Sequence, residues 1–322
     1  MPALALDLHD VEQDLSTVIA TFLDACVLRN LSPKTVEWYR YCLGPFAAYV
    51  GEKGGGPVAA VTGQAVRDFL TDRADHVGPR RLNHYVEAVR RFFDWAVTEG
   101  YAMSNPTDRI DKVREGRKLI VTFNEAELRL LLRQPDRSTY LGLRDYTFML
   151  LLIDTGLRLS EALGLQVGDV DLKSGAAKVT GKGDKERLVG FSQAFAHDLT
   201  RYLRARNATV QRAGRPDCTW LFPNQEGGRW ASKGAQMRLK RYGEEAEITR
   251  VRVSPHSFRH TFALWFVRSG GSPFHLQRIL GHSSLAMSRR YCELADMDAV
   301  TKQRELSPLV TMELTPARGR LR

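Results

Sequence analysis

The sequence predicts a mainly α-helical protein with a small β-sheet, an α+β fold that divides into two domains. Apolar residues recur at helical spacing over most of the chain, which is typical of amphipathic helices. One short passage, residues 176–191, instead alternates around a glycine-containing turn, which is typical of a β-hairpin. A length of 322 residues gives room for two domains of ordinary size. We therefore expect an all-helical first domain and a mixed α/β second domain.

Four helices are predicted for the first domain, between Leu15 and Gly100. Ser32-Pro33 has the cap and first-turn pattern that opens the second helix. Thr62 opens the third helix and Pro79 the fourth. The fourth helix carries four arginines beside an apolar stripe. Taken alone, these arginines fit a solvated face as well as a nucleic-acid surface.

A polar and basic segment, residues 105–120, is predicted to link the domains because it has no apolar period. Thr122 and Glu125 have the spacing of a capping box, so the second domain is expected to begin near residue 121. A last helix is predicted over residues 294–306. The predicted organisation is a helical domain over 14–104, a linker over 105–120, a second domain over 121–306 and a tail over 307–322.

Two elements of the second domain stand out in the sequence. Residues 144–153 form a nearly all-apolar run, which predicts a buried helix ending at Thr155-Gly156. Residues 176–180 and 187–191 are predicted as two strands joined by the turn GKGDK. The rest of this domain is expected to be helical, with an extended passage near Trp220.

The charge balance indicates a polyanionic partner. The chain has 47 Lys and Arg against 37 Asp and Glu, a net charge of +10, and nucleic acid is the commonest polyanion for a basic protein. The four cysteines show no paired spacing, so neither a zinc site nor a disulfide framework is predicted. The sequence shows no signal peptide and no membrane-length apolar run. We expect a soluble, cytoplasmic protein with no membrane partner.

The stretch from Ser254 to Glu293 carries the candidate chemistry. His256 and Arg259 are three residues apart, so they share a face if the segment is helical. Gly281 is predicted to end a helix, with His282 at the corner beyond it. Tyr291 then follows about two turns into the next helix. Imidazoles, a guanidinium and a phenol at one place indicate chemistry at a phosphate, with the tyrosine as nucleophile.

Other interpretations of these residues are weaker. His256 and His260 are spaced like a zinc-binding HExxH motif, but position 257 is serine, so the general base is missing. Gly175 to Lys182 superficially resembles a phosphate-binding loop, but its spacing is wrong. Four histidines are predicted to be structural: His76, His84, His260 and His275.

These motifs resemble those of the tyrosine recombinase (phage integrase) family. Residues 155–163 look like the family's first arginine box, residues 181–183 like its hairpin lysine, and residues 256–260 like its HxxR box. The second histidine follows Arg259 by 23 residues, and the tyrosine follows nine residues later, as in the family. The resemblance implies six catalytic residues and a supporting carboxylate: Arg158, Lys182, His256, Arg259, His282 and Tyr291, with Glu161 in support. It covers about half of the chain, and the helical first half is similar, more loosely, to the family's core-binding domain.

The resemblance implies that the Tyr291 phenol attacks a DNA phosphodiester and forms a 3′-phosphotyrosine. Arg158 and Arg259 would hold the non-bridging oxygens through paired donors. His256 is the better candidate to accept the phenol proton, since a phenol has a pKa of about 10. His282 would donate to the phosphate, and Lys182 would protonate the departing 5′ hydroxyl. Because these side chains supply the charge and the intermediate stores the bond energy, we expect no metal and no other cofactor.

The resemblance also implies the partners. These are double-stranded DNA with inverted-repeat core sites and three further protomers, which form a homotetramer on two sites. An accessory directionality protein or a partner recombinase is compatible with the motifs. Six basic residues of the fourth helix and of the basic stretch 231–247 are predicted to contact DNA: Arg80, Arg81, Arg90, Arg91, Lys240 and Arg241.

The residues before the tyrosine depart from the family pattern. Met287 and Ser288 stand where many relatives carry two threonines, and Arg289-Arg290 make the approach to Tyr291 unusually basic. Together with the basic tail, these departures favour a recombinase of a mobile element, a transposon or phage-like element. The alternatives are a Xer-type dimer resolvase and a DNA-binding regulator that no longer cuts. A type IB topoisomerase would share the chemistry but act as a monomer.

Overall fold

The computed structural model of the chain describes residues 13–116, 120–181, 185–282, 284–295, 303–304 and 307–311. The chain divides into two compact units, residues 1–118 and 119–322. Across the described ranges, no helix is long and apolar enough to cross a membrane. The fold is mainly helical with a small sheet, as predicted.

The first unit contains the four predicted helices. Ser32 caps the second through its side chain and Thr62 caps the third in the same way, so both predicted helix starts are confirmed. Pro79 occupies the first turn of the fourth helix, where a missing N–H costs nothing. The helices are α1 (Leu15–Leu28), α2 (Pro33–Glu52), α3 (Gly63–Ala74) and α4 (Pro79–Thr98).

Aromatic side chains build the core of this unit around α4. Phe92 and Phe93 are fully buried, and their rings contact Phe22 of α1 and Phe46 of α2 edge to face. Phe69 of α3 packs against Phe46 in the same way. Such pairs each add about 0.5–1.5 kcal/mol beyond the area they bury. The apolar stripe of α4 is therefore the face against which the other helices pack.

Residues 105–116, predicted as the start of the linker, pack on the first unit. Asn83 of α4 exchanges two hydrogen bonds with the backbone of Val113 (2.8 and 2.9 Å). Arg90 donates to the carbonyls of Thr107 and Ile110 (3.3 and 2.5 Å). Ile110 is buried in the same core. This part of the segment is therefore bonded to α4 over its length.

The second unit combines a three-stranded antiparallel sheet with helices, and alternate residues of β2 and β3 remain exposed. The sheet has the order β1-β2-β3, with Ala176 opposite Gly190 and Thr180 opposite Glu186. Its strands are β1 (Val170–Asp171), β2 (Ala176–Thr180) and β3 (Glu186–Gly190). Its helices are α5 (Glu125–Arg133), α6 (Tyr140–Thr155), α7 (Leu159–Gly164), α8 (Gln193–Arg212), α9 (Ser232–Glu245), α10 (Pro255–Arg268), α11 (Pro273–Leu280), α12 (Leu285–Ala295) and α13 (Pro308–Thr311).

The structure confirms the hairpin and corrects two local predictions. β1 is a third, short strand that the sequence analysis missed, because two residues are too few to show alternation. The capping box at the start of α5 is formed by Asn124 and Glu127, so the prediction of Thr122 with Glu125 is wrong. Most of the predicted last helix, residues 294–306, lies outside the described residues.

A buried charged cluster joins α6 to α9. Asp145 is 1% exposed, and its carboxylate accepts hydrogen bonds from Arg144 (2.8 Å), Arg238 (2.7 Å) and Tyr242 (2.8 Å). The Arg144 guanidinium lies 3.7 Å from the centre of the Trp230 ring. Each buried charge is thus paired and hydrogen-bonded, which its desolvation requires.

Candidate active site

The first arginine box lies where α6 passes into α7. Gly156 ends α6 with a φ of +61°, and a Cβ there would lie 2.4 Å from the Phe262 ring, so only glycine fits. Arg158 follows in extended conformation, just before α7. Its backbone N–H and its guanidinium both donate to the Glu161 carboxylate, each at 2.9 Å. Glu161 is therefore placed to support Arg158.

Helix α10 positions the second arginine box. Arg259 is 6% exposed, and its guanidinium donates to the carbonyls of Gly156 (2.9 Å) and Leu280 (2.7 Å). Burial, helped by the charge of Arg158, lowers the pKa of Arg259 to about 10. The side chain still carries its charge at neutral pH. His256, one turn earlier on the same helix, is exposed.

Three arginines hydrogen-bond to the carboxyl end of α11. Gly281 ends this helix in the left-handed conformation, with a φ of +62°, which confirms the predicted helix end. Three consecutive carbonyls each accept a hydrogen bond from a different arginine: Ile279 from Arg187 (2.8 Å), Leu280 from Arg259 (2.7 Å) and Gly281 from Arg158 (3.0 Å). These carbonyls have no partner within the helix, and they form the negative end of its dipole. The helix end therefore holds and partly neutralises the cluster of guanidinium groups.

His282 follows directly after this corner. It is 7% exposed, and its Nδ1 lies 2.9 Å from the hydroxyl of Ser288, which is itself fully buried. Burial, and then the charges of Arg259 and Arg158, lower the pKa of His282 to about 4. The imidazole is therefore neutral at pH 7. Ser288 is one of the departures noted in the sequence, and it keeps the hydroxyl that bonds this ring.

Tyr291 lies on α12 with its hydroxyl against a histidine. The side chain is 5% exposed, and its Oη is 2.7 Å from Nδ1 of His260. The phenol ring stacks on His282, with ring centres 6.4 Å apart and planes 12° apart. Burial raises the pKa of Tyr291, and the opposing charges of Arg259 and Arg290 do not offset it. The phenol is protonated at neutral pH.

The place of His260 differs from the structural role that the sequence analysis assigns to it. Burial, with the nearby His256 and Arg259, lowers the pKa of His260 to about 4. In the tautomer with its proton on Nε2, Nδ1 accepts a hydrogen bond from the phenol of Tyr291. His260 is therefore part of the candidate site.

A cavity of about 230 Å³ lies beside Arg158 and Arg259. Arg158, His256 and Arg259 all line it, so the structure brings three of the predicted residues together around one space. Gln236 and Arg252 line it as well, and neither was predicted. The positive charge of this cavity suits a phosphodiester. Lys182, predicted as the catalytic lysine, lies outside the described residues.

Comparison with known proteins decides the family. Residues 122–297 match the sequence profile of the phage integrase family, and residues 18–102 match that of the phage integrase N-terminal SAM-like domain. The chain belongs to the phage integrase family. It is a tyrosine recombinase, an enzyme that breaks and rejoins DNA strands by transesterification.

Curated relatives of this recombinase match almost end to end. The chain is 32% identical to tyrosine recombinase XerC of Oceanobacillus iheyensis over 86% of this chain and 91% of that protein. It is 33% identical to tyrosine recombinase XerD of Pseudomonas aeruginosa over 86% of this chain and 93% of that protein. The recombinase is therefore similar to Xer proteins over both of its units.

Solved structures show the same fold at lower identity. A post-cleavage complex of the XerH site-specific recombinase with a palindromic difH substrate aligns with a TM-score of 0.72, 22% identity, and coverage of 90% of this chain and 84% of that chain. The Tn1549 transposon integrase in complex with transposon right end DNA aligns with a TM-score of 0.71, 16% identity, and coverage of 92% and 100%. Both confirm the predicted fold of the recombinase.

The predicted DNA contacts of the recombinase fall in different environments. Arg80 and Arg81 are exposed near the start of α4, and Arg81 lies over the Tyr41 ring. Arg91 is exposed and pairs with Glu87. Arg90 differs, because its guanidinium donates to two carbonyls of the packed segment that follows α4. Lys240 and Arg241 are exposed on α9, each in an ion pair one turn along the helix.

Sequence reasoning missed Arg187, which contacts Glu161 and the end of α11. Its guanidinium donates to both oxygens of Glu161, at 3.0 and 2.9 Å. A signal was present in the sequence. Arg187 is opposite Val179, and Val189 is opposite Ala177, so strand alternation places the arginine on the buried face of the hairpin.

The stability of the second unit is expected to fall as the pH is lowered from about 6.5 toward 4. His260 and His282 titrate near pH 4 in the folded state but near ~6.5 when unfolded. Between these values the unfolded state binds more protons, so stability rises with pH across this range. Urea unfolding over this pH range measures the slope.

Two variants test whether the His282 imidazole contributes to this slope. His282→Gln is expected to reduce the pH dependence, whereas replacement of the exposed His275 by asparagine should leave it unchanged. An equal slope in His282→Gln and in the wild type would contradict the assignment.

Proposed function

We propose that this protein is a Xer-type site-specific recombinase that cuts and rejoins duplex DNA through Tyr291. One observation carries the proposal. Arg158, His256 and Arg259 line a common cavity, and the helix end that bonds both arginines leads directly into His282, which stacks on Tyr291. Two guanidiniums, imidazoles and a phenol arranged in this way suit transesterification at a phosphodiester.

The reaction exchanges one phosphate ester for another. The Tyr291 oxygen bonds to the phosphorus, the bond to the 5′ oxygen breaks, and a 3′-phosphotyrosine forms. Arg158 and Arg259 stabilise the negative charge that develops on the non-bridging oxygens. Hydrogen bonds to Glu161 and to backbone carbonyls hold the two guanidinium groups in place. Attack by the 5′ hydroxyl of another strand reverses the step, so no energy source is consumed.

Proton transfers are assigned to the basic residues near the phosphate. His256 is exposed beside the cavity, where it can accept the phenol proton once DNA is bound. His282 donates to the phosphate through Nε2, because its Nδ1 is bonded to the Ser288 hydroxyl. Lys182 protonates the departing 5′ hydroxyl.

The DNA partner carries inverted-repeat core sites, and four protomers act on two of them. The net charge of +10 favours binding to the phosphate backbone, so affinity is expected to fall steeply with salt. The exposed arginines Arg80, Arg81 and Arg91 and the basic face of α9 contact the duplex.

A Xer-type role is favoured over that of a mobile-element recombinase. Relatives about one third identical over most of both chains carry the names XerC and XerD. The transposon integrase is 16% identical, a level that supports the fold alone. The departures at Met287 and Ser288 do not favour a mobile element, because Ser288 still bonds His282.

Replacement of Tyr291 by phenylalanine is expected to abolish strand cleavage and to leave DNA binding intact. The variant lacks only the nucleophilic oxygen, and its ring still stacks on His282. DNA sites are first selected from sheared genomic DNA by binding to the purified full-length protein. They are then made as nicked suicide substrates, and denaturing gels detect the covalent protein–DNA product.

The matched control is Tyr146→Phe, a tyrosine of α6 outside the site. It should form the covalent product like the wild type. A covalent product in Tyr291→Phe would overturn the proposed nucleophile. No product from the wild type on tightly bound sites would favour the non-cutting regulator instead. Light scattering of the DNA complex separates a tetrameric recombinase from a monomeric topoisomerase.

A further inference from the structure

Arg187 occupies an unusual position for an arginine of a short edge strand. It lies in β3, yet its side chain is only 16% exposed. Its guanidinium makes three hydrogen bonds, to both oxygens of Glu161 and to the carbonyl of Ile279 at the end of α11. These partners are 26 and 92 residues away in the sequence. One side chain therefore connects the sheet, α7 and α11.

Glu161 is held in one orientation by two arginines. Its Oε1 accepts from Arg187 (3.0 Å) and from the guanidinium of Arg158 (2.9 Å). Its Oε2 accepts from Arg187 (2.9 Å) and from the backbone N–H of Arg158 (2.9 Å). Burial tends to raise the pKa of Glu161, but the hydrogen bonds outweigh it, that of Arg187 most of all, so the pKa is lowered. The Glu161 carboxylate stays charged and keeps its orientation toward Arg158 because both arginines bind it.

We propose that Arg187 is a positioning residue for strand cleavage, which fixes the guanidinium of Arg158 through Glu161 and the end of α11. The inference rests on the proposed function, in which Arg158 holds the scissile phosphate. Arg158 has two anchors, Glu161 and the carbonyl of Gly281. Arg187 bonds the first anchor directly, and it bonds the turn that carries the second anchor through the carbonyl of Ile279.

Arg187 also bonds the turn that carries the second anchor. Arg187 bonds the carbonyl of Ile279, two residues before Gly281. A Cβ on Gly281 would lie 3.3 Å from the Arg187 guanidinium, so the turn packs directly on this side chain. Loss of Arg187 would free the Glu161 carboxylate to rotate and would loosen the turn whose carbonyl binds Arg158. A displacement of Arg158 by about 1 Å is enough to cost on the order of 100-fold in rate.

Two substitutions of Arg187 distinguish the effect of its hydrogen bonds from the effect of its charge. Arg187→Met removes the charge and all three hydrogen bonds while keeping much of the side-chain volume. Arg187→Lys keeps the positive charge, but a single ammonium cannot form the parallel pair of bonds to Glu161 and also reach Ile279. The control is Glu186→Gln, the preceding residue of β3, which is exposed and pairs with Lys178.

The first measurement is single-turnover cleavage of a suicide substrate at saturating DNA. Arg187→Met is expected to lower the rate constant by about 10- to 100-fold, with the amplitude retained. Arg187→Lys should remain at least about 10-fold slower than the wild type, and Glu186→Gln should match it. A loss of amplitude at an unchanged rate constant would mean that Arg187 serves folding and would overturn the proposal. Full activity of Arg187→Lys would overturn it in favour of a charge effect.

The second measurement does not depend on cleavage. In the Tyr291→Phe protein, hydrogen exchange at the backbone amide of Arg158 reports its bond to Glu161. Arg187→Met should raise this exchange rate, whereas Glu186→Gln should not. If the wild type fails to cleave DNA but the exchange result holds, the proposed function is wrong and the positioning of Arg158 stands. Unchanged exchange in Arg187→Met would overturn the positioning role whatever the protein does to DNA.

Discussion

Replacement of Arg259 by lysine is expected to lower the rate of strand cleavage by at least about 100-fold. The guanidinium already uses two N–H groups to bond the carbonyls of Gly156 and Leu280, and three N–H groups remain for a phosphate. A lysine has only three donors in total, so it cannot satisfy both carbonyls and still pair with two phosphate oxygens. Single-turnover formation of the covalent product measures the effect.

The control for this variant is Arg268→Lys. Arg268 is exposed in the last turn of the same helix, α10, so it tests the same chemical change away from the cavity. Its rate should equal that of the wild type. A wild-type rate in Arg259→Lys would show that Arg259 does not bind two oxygens of the reacting phosphate.

Local pattern was enough to predict most of the described helices, the hairpin and the shared face of His256 and Arg259, whereas Arg158, Glu161 and Lys182 were predicted from the family resemblance. Residues three apart on α10 share a face, so the pairing of His256 with Arg259 follows from helical geometry alone. Caps such as Ser32 and Thr62 have a recognisable residue type at a fixed offset. The glycine that ends α11 was predicted for the same reason.

The partners of the buried charges could not be predicted from local pattern. Arg158, Arg187 and Arg259 meet at the end of α11 through bonds that span 123, 92 and 21 residues. No periodicity relates such distant positions. Arg90 shows the same limit, since its place on α4 predicts an exposed cation, whereas its guanidinium bonds the segment that follows the helix.

At the start of α5, a tertiary contact determines which of two possible capping boxes forms. Thr122 with Glu125 and Asn124 with Glu127 have the same capping-box spacing. Arg250 decides between them, because its guanidinium donates to the Glu127 carboxylate and to the carbonyl of Thr122. The arginine is more than a hundred residues away, so the sequence near α5 does not contain this information.

Replacement of Asp145 by alanine is expected to destabilise the second unit by about 3–5 kcal/mol. The substitution leaves the guanidinium of Arg144, only 4% exposed, without its carboxylate partner, and it removes the acceptor of Arg238 and of the Tyr242 hydroxyl. A buried charge without a partner keeps its desolvation cost and loses the attraction that offsets it. Hydrogen exchange of peptides from α6 in the full-length protein measures the loss, and peptides from α4 of the first unit serve as an internal reference.

Glu244→Ala is the matched control, because it removes a carboxylate from an exposed ion pair with Lys240 on α9. Exposed pairs of this kind contribute about 0–1 kcal/mol, so exchange in α6 should barely change. An equally small effect of Asp145→Ala would mean that water or a shift of Arg144 toward solvent replaces the carboxylate. The contrast between the two variants thus measures how far burial, rather than the presence of an ion pair, determines the stability of this unit.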